Sequence, residues 1–192
     1  MISSLAKKSN IVTFLGIACT VIGICFCFKN MINYAILMLI FSGICDGFDG
    51  PIARKINKGK GDKYGVQLDS LADILGSGCL PVVICMGMGY TSWINMIVYV
   101  FFVLCGVMRL TYYNVNSTDK NYFEGVPITV STMLIPWVQF LFHNEIAFMI
   151  SLTTLAILFV SGIKIKKPSM KVRIFLSVGG IALITAIILL IK

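Results

Sequence analysis

The chain has 192 residues, 58% hydrophobic and 12% charged, with a formal net charge of +8 and a mean hydropathy of +0.92. That composition excludes a soluble globular domain, and no polar stretch is long enough to fold as a separate one, so residues 1–192 read as a single integral membrane domain. The basic residues are spread over several loops at a membrane surface, which excludes nucleic acid as a partner.

Apolar runs near the roughly 20 residues that span a bilayer predict helices over 11–28, 32–54, 64–89, 93–113, 126–142, 146–163 and 172–191. The expected fold class is all-α and polytopic, with Pro81 and Pro136 kinking the third and fifth helices. Basic residues at Lys7, Lys8, Arg109 and Lys120, and within 54–63 and 164–173, fall on one side of this topology, against Lys29 and Lys192 on the other. By the positive-inside rule the N-terminus lies in the cytoplasm and the C-terminus outside. No small-residue cleavage site follows Phe28, so the first helix is read as a retained span. The seven cysteines lack metal-type spacing and read as packed free thiols.

Asn10 and Thr13 open the first helix at the membrane level of the acids described next. Both can donate hydrogen bonds to a polar ligand, and Asn10 reads equally well as a helix cap. On the second helix Asp46, Asp49, Gly50 and Ala53 recur at i, i+3, i+4 and i+7, so two carboxylates share a face with two small residues that let a ligand or a neighbouring helix lie close. Pro51 cannot donate to the carbonyl of Gly47, which loosens the helix beside the acids. On the third helix Gly65, Asp69 and Asp73 recur at i, i+4 and i+8. The connection between the two helices is short, so they are antiparallel neighbours whose four acids converge at the cytoplasmic end.

Four carboxylates at such close range cannot all stay ionised unaided, and divalent cations resolve the conflict. An all-oxygen ligand set suits Mg²⁺, Mn²⁺ or Ca²⁺ and not zinc; the single histidine, His143, falls outside. Two such ions can hold phosphates and stabilise the attacking and leaving oxygens of a displacement. Arg54 supplies a fixed charge for a phosphate.

Asp46-x-x-Asp49-Gly50-x-x-Ala53-Arg54 followed by Gly65-x-x-x-Asp69-x-x-x-Asp73 resembles the signature of the CDP-alcohol phosphotransferases. The resemblance implies a six-helix membrane-embedded core over residues 1–163, with the basic loop and final helix of 164–192 as an addition. It also implies a homodimer that requires Mg²⁺ or Mn²⁺, with two ions expected, and moves a phosphatidyl-type group from a CDP-linked lipid to an alcohol with release of CMP. Carried over, Asp46, Asp49 and Asp69 hold metal, while Asp73 is the general base and touches the second ion. Gly50, Ala53, Arg54 and Gly65 line the cytidine diphosphate site, joined by Asn10 and Thr13. Ten residues separate Arg54 from Gly65, more than is usual in the family, which alters the loop and the shape of the nucleotide pocket more than the reaction class.

LDSLAD, RLTYYNVN and YFEGVP are similar to stretches of the phosphatidylserine synthase branch, which implies CDP-diacylglycerol and L-serine as substrates. Arg109, Asn114 and Glu124 then form the acceptor side, with the Arg109 guanidinium suited to the serine carboxylate. Arg109 reads otherwise as a snorkelling interfacial arginine, and Glu124 as a solvated loop residue. That branch often carries a second arginine where this chain has Tyr112. Another acceptor (glycerol 3-phosphate or inositol phosphate) and an archaetidyl lipid are the alternatives within the family. Outside it, intramembrane acids also mark cation transporters, although a transporter would carry its ligands nearer the bilayer midplane. The Lys164–Arg173 segment enforces topology and secondarily attracts anionic lipid.

Overall fold

The computed structural model describes residues 10–56, 63–116 and 122–166, together with residue 179. The rest of the predicted helix over 172–191, the N-terminal stretch before Asn10 and most of the Arg54–Gly65 connection lie outside these residues.

Helix α1 (Ile11–Phe28) buries Thr13, Gly16, Thr20, Gly23 and Cys27, a stripe of small residues at three- and four-residue spacing. The stripe lets α1 lie close along α2 (Ile32–Ile56). A Cβ at Gly16 would stand 3.3 Å from the Cβ of Cys45, and one at Gly23 would stand 3.1 Å from Met38. Small residues at such a contact promote tight packing in a bilayer, where lipid supplies no hydrophobic drive between helices. The α1–α2 turn passes through Asn30 in a left-handed conformation (φ 58°), which Asn tolerates better than most residues. α2 continues through Pro51 to Ile56, so the proline does not end the helix.

The third predicted span is three pieces on one path: α3 (Lys63–Asp73), a π-helical turn (Ile74–Cys79) and α4 (Leu80–Gly87). Pro81 has no N–H for the carbonyls preceding it, and the chain answers with i→i+5 bonding, Leu80 N–H reaching Leu75 O. The Ser77 carbonyl receives instead the hydroxyl of Ser131, and both residues are buried. Thr20 and Ser42 hydroxyls meet at 3.0 Å beside the same turn, where Gly76 leaves them room. The kink expected at Pro81 is therefore a wider turn beginning directly after Asp73.

Helix α5 (Trp93–Asn116) extends three residues beyond its predicted end. The fifth predicted helix starts later than expected. Residues 126–127 belong to no helix, Ile128–Val130 form a 3₁₀ turn, and α6 runs Ser131–Leu141. Pro127 accounts for this, because the residue before a proline is driven out of helical conformation. Helix α7 (Glu145–Phe159) is capped by the Asn144 side chain, which accepts from Ala147 N–H, and it ends short of the predicted residue 163. The chain leaves α7 to form β2 (Lys164–Lys166), antiparallel to β1 (Tyr122–Glu124). This three-residue pair is a small exception in an otherwise helical fold.

Four stretches, Ile11–Phe28, Ile32–Ala53, Tyr64–Gly87 and Trp93–Asn116, are long and apolar enough to cross a bilayer, and α6 and α7 are shorter apolar helices. The buried core joins Ile36, Leu39 and Ile40 of α2 to Leu80 and Ile84 of α4, Phe102 of α5, Ile135 of α6 and Phe148, Leu152 and Phe159 of α7. Outward faces carry exposed apolar residues such as Ile97, Val100 and Ile150, as a lipid-facing surface requires.

Gly125 joins β1 to the 3₁₀ turn. Its N–H donates to Ile163 O at 2.9 Å, its φ is +73°, and a Cβ there would collide with the Phe159 carbonyl oxygen. Gly125→Ala is expected to cost about 1–3 kcal/mol for the left-handed backbone, with the collision in addition. The loss should appear as a lower melting temperature in detergent, and an unchanged melting curve would show that this loop does not need glycine.

Candidate active site

The acids meet where the C-terminal part of α2 faces α3. Ligand atoms of Asp46, Asp49 and Asp69 all lie within 4.8 Å of one another, the one such grouping of His, Cys, Asp or Glu among the described residues. Asp69 is in side-chain contact with Asp49, and Asp73 with Asp46, so the two helices pair their acids crosswise. Asp49 and Asp73 are buried, whereas Asp46 and Asp69 are partly exposed. Facing carboxylates repel unless a proton or a cation lies between them. The donor set is carboxylate oxygen only, which fits a hard divalent cation and not zinc.

The backbone beside the acids is open. A Cβ added at Gly47 or Gly50 would meet nothing within 4 Å, so a ligand has room against α2. Ala53 follows one turn later, partly buried, and Gly65 sits partly buried in the first turn of α3. Arg54 belongs to α2, but its side chain lies outside the described residues.

Thr13 reaches the cluster from α1, its hydroxyl donating to Asp49 Oδ2 at 2.9 Å. Asn10 is only 3% exposed and occupies the N-cap position of α1, where its side chain makes no capping hydrogen bond.

From α5, Arg109 is 7% exposed and close enough to Asp73 and Asp46 for its charge to act on both. Its guanidinium also lies over the Tyr113 ring at 5.3 Å. This overturns the snorkelling alternative, because the side chain turns inward to the acids and not out to the interface. Asn114 Nδ2 donates to Ser70 Oγ at 2.8 Å, tying α5 to the helix that carries Asp69 and Asp73. Glu124 is exposed on β1, where its carboxylate accepts from the Tyr112 hydroxyl at 2.8 Å. The Tyr112 position therefore engages Glu124. Sequence reasoning gave no role to Ser70 or to Tyr113, which entered only within RLTYYNVN. The four-residue spacing from Arg109 to Tyr113 on a helix was the available signal for the latter, whereas Ser70 showed only as part of LDSLAD.

A family model described as CDP-alcohol phosphatidyltransferase matches residues 7–191. The archaetidylserine synthase of Methanothermobacter thermautotrophicus is 25% identical over 165 residues, covering 85% of this chain and 71% of that protein. The CDP-diacylglycerol–serine O-phosphatidyltransferase of Helicobacter pylori strain 26695 is 32% identical over 156 residues, covering 73% of this chain and 65% of its own. The Bacillus subtilis protein of the same name is 30% identical over 162 residues, covering 83% of this chain and 89% of its own.

Proposed function

The chain belongs to the CDP-alcohol phosphatidyltransferase family, and from that premise we propose that it transfers the phosphatidyl group of CDP-diacylglycerol to the hydroxyl of L-serine, releasing CMP. The observation that carries this reading is the juxtaposition of a three-carboxylate cluster with a buried arginine beside Asp73. The names of the relatives from Helicobacter pylori and Bacillus subtilis support serine as acceptor.

Asp46, Asp49 and Asp69, together with Asp73, would hold Mg²⁺ or Mn²⁺, with two ions expected. Such ions would supply neutralisation of charge on the pyrophosphate and on the leaving CMP. The open backbone at Gly50, with Ala53, Arg54 and Gly65, accommodates the cytidine diphosphate, and Asn10 contributes a polar contact at its edge. Arg109 holds the serine carboxylate in a two-pronged contact, with Asn114 and Glu124 bordering the acceptor. Asp73 accepts the serine hydroxyl proton as that oxygen forms its bond to the lipid phosphorus and the bond from this phosphorus to the CMP oxygen breaks. Held in place, the reactants need little beyond orientation and charge stabilisation. The acid end faces the cytoplasm, where serine is available, the acyl chains stay in the bilayer, and the enzyme works as a homodimer.

The test is CMP release by the purified chain with CDP-diacylglycerol and Mn²⁺ or Mg²⁺, comparing serine, glycerol 3-phosphate, inositol phosphate and no acceptor. Release with serine alone is expected, lost on chelation with EDTA and restored by either metal. Release with a different alcohol would remove the serine assignment, and release that survives chelation would remove the metal. The archaetidylserine synthase relative supports a second reading of the lipid, with ether-linked isoprenoid chains. A parallel series with the CDP-linked ether lipid separates the two by their kcat/KM.

A further inference from the structure

We propose that Thr13 is a positioning residue for Asp49: its hydroxyl fixes the orientation of that carboxylate and thereby sets the affinity of the acid cluster for a divalent cation, without touching the CDP-lipid. The inference rests on the reading that the cluster binds such a cation. Thr13 and Asp49 are 7% and 6% exposed and belong to different helices, and the hydroxyl donates to Oδ2 at 2.9 Å. A threonine hydroxyl has one proton to give. Spent on Asp49, it is not available to a substrate oxygen, so the role that this bond gives Thr13 is toward the acid cluster.

An aspartate among like charges needs such a tether, because repulsion from Asp46 and Asp69 favours any rotamer that swings it away. The tether is stiff at both ends. Threonine is restricted at χ1, and one turn further along α1 the Gly16 backbone packs closely against Cys45 of α2. Hydrogen-bond partners of metal ligands typically contribute 10–100-fold to metal affinity.

Mn²⁺ titration of the purified full chain, followed by electron paramagnetic resonance with no lipid present, tests this on the wild type, Thr13→Val and Thr13→Ser. Valine keeps the shape and removes the hydroxyl; serine keeps the hydroxyl. The expected result is a Kd for Mn²⁺ raised 10–100-fold in Thr13→Val and restored to within about threefold by serine, with a wild-type melting temperature in both. At saturating Mn²⁺ the KM for CDP-diacylglycerol should be unchanged in Thr13→Val. A Kd in Thr13→Val within twofold of wild type overturns the proposal, as does a raised lipid KM at saturating metal, which would return Thr13 to the substrate site. If the wild type binds Mn²⁺ but releases no CMP, the transfer reading fails while the titration still decides the role of Thr13. A wild type that binds no Mn²⁺ overturns both.

Discussion

Asp73→Asn is expected to lower CMP release about 10²- to 10⁴-fold, the usual worth of a positioned general base. Binding of Mn²⁺ and CDP-diacylglycerol should stay within a few-fold of wild type. Asparagine has nearly the same shape but cannot take the serine proton. Asp73 lies outside the trio whose ligand atoms converge, and it contacts Asp46 while feeling the charge of Arg109. Its removal should therefore separate chemistry from binding. Activity above one-tenth of wild type would show that another group takes the proton, and a loss of Mn²⁺ binding as large as the loss of activity would make metal binding, and not proton transfer, the main role of Asp73.

Arg109→Lys should raise the KM for serine about 10- to 100-fold while leaving the KM for CDP-diacylglycerol nearly unchanged, in line with the roughly 1.5–3 kcal/mol of a hydrogen bond to a charged group. Lysine keeps the positive charge beside Asp73 and Asp46, so the electrostatic balance of the buried acids is largely kept. What it lacks is the planar fork that grips a carboxylate in two places and stacks on Tyr113. A serine KM within twofold of wild type would remove Arg109 from the acceptor site. Equal rises in both KM values would instead make it a support for the acid cluster as a whole.

These expectations draw on a site whose parts were unevenly legible in the sequence. The faces of Asp46 with Asp49 and of Asp69 with Asp73 follow from helical periodicity, and convergence of α2 and α3 follows from their short connection. The first two spans were equally plain, because uninterrupted apolar runs of bilayer length permit few other readings. The turn after Asp73 was not, since Pro81 announces a break without saying whether the chain kinks or widens; Ser131, fifty residues on, supplies the hydroxyl that the widened turn uses. The burial of Arg109 was hidden for a related reason. An arginine near a helix end looks the same in sequence whether it turns to the interface or to acids on other helices, and only the packing of α5 against them decides. The Thr13–Asp49 bond likewise joins residues 36 positions apart. The pairing of β1 with β2 escaped because three-residue strands carry too little alternation to register, although Gly125 and Pro127 mark the site where the helical path stops.

The most direct measurement of the central claim is mass spectrometry of the products formed from CDP-diacylglycerol and L-serine carrying ¹⁸O in its hydroxyl. Attack of that oxygen on the lipid phosphorus predicts phosphatidylserine that retains the label, with unlabelled CMP in equal amount. Phosphatidic acid accompanied by a labelled cytidylyl-serine would place the attack on the other phosphorus, and no labelled product of either kind would contradict serine as the acceptor.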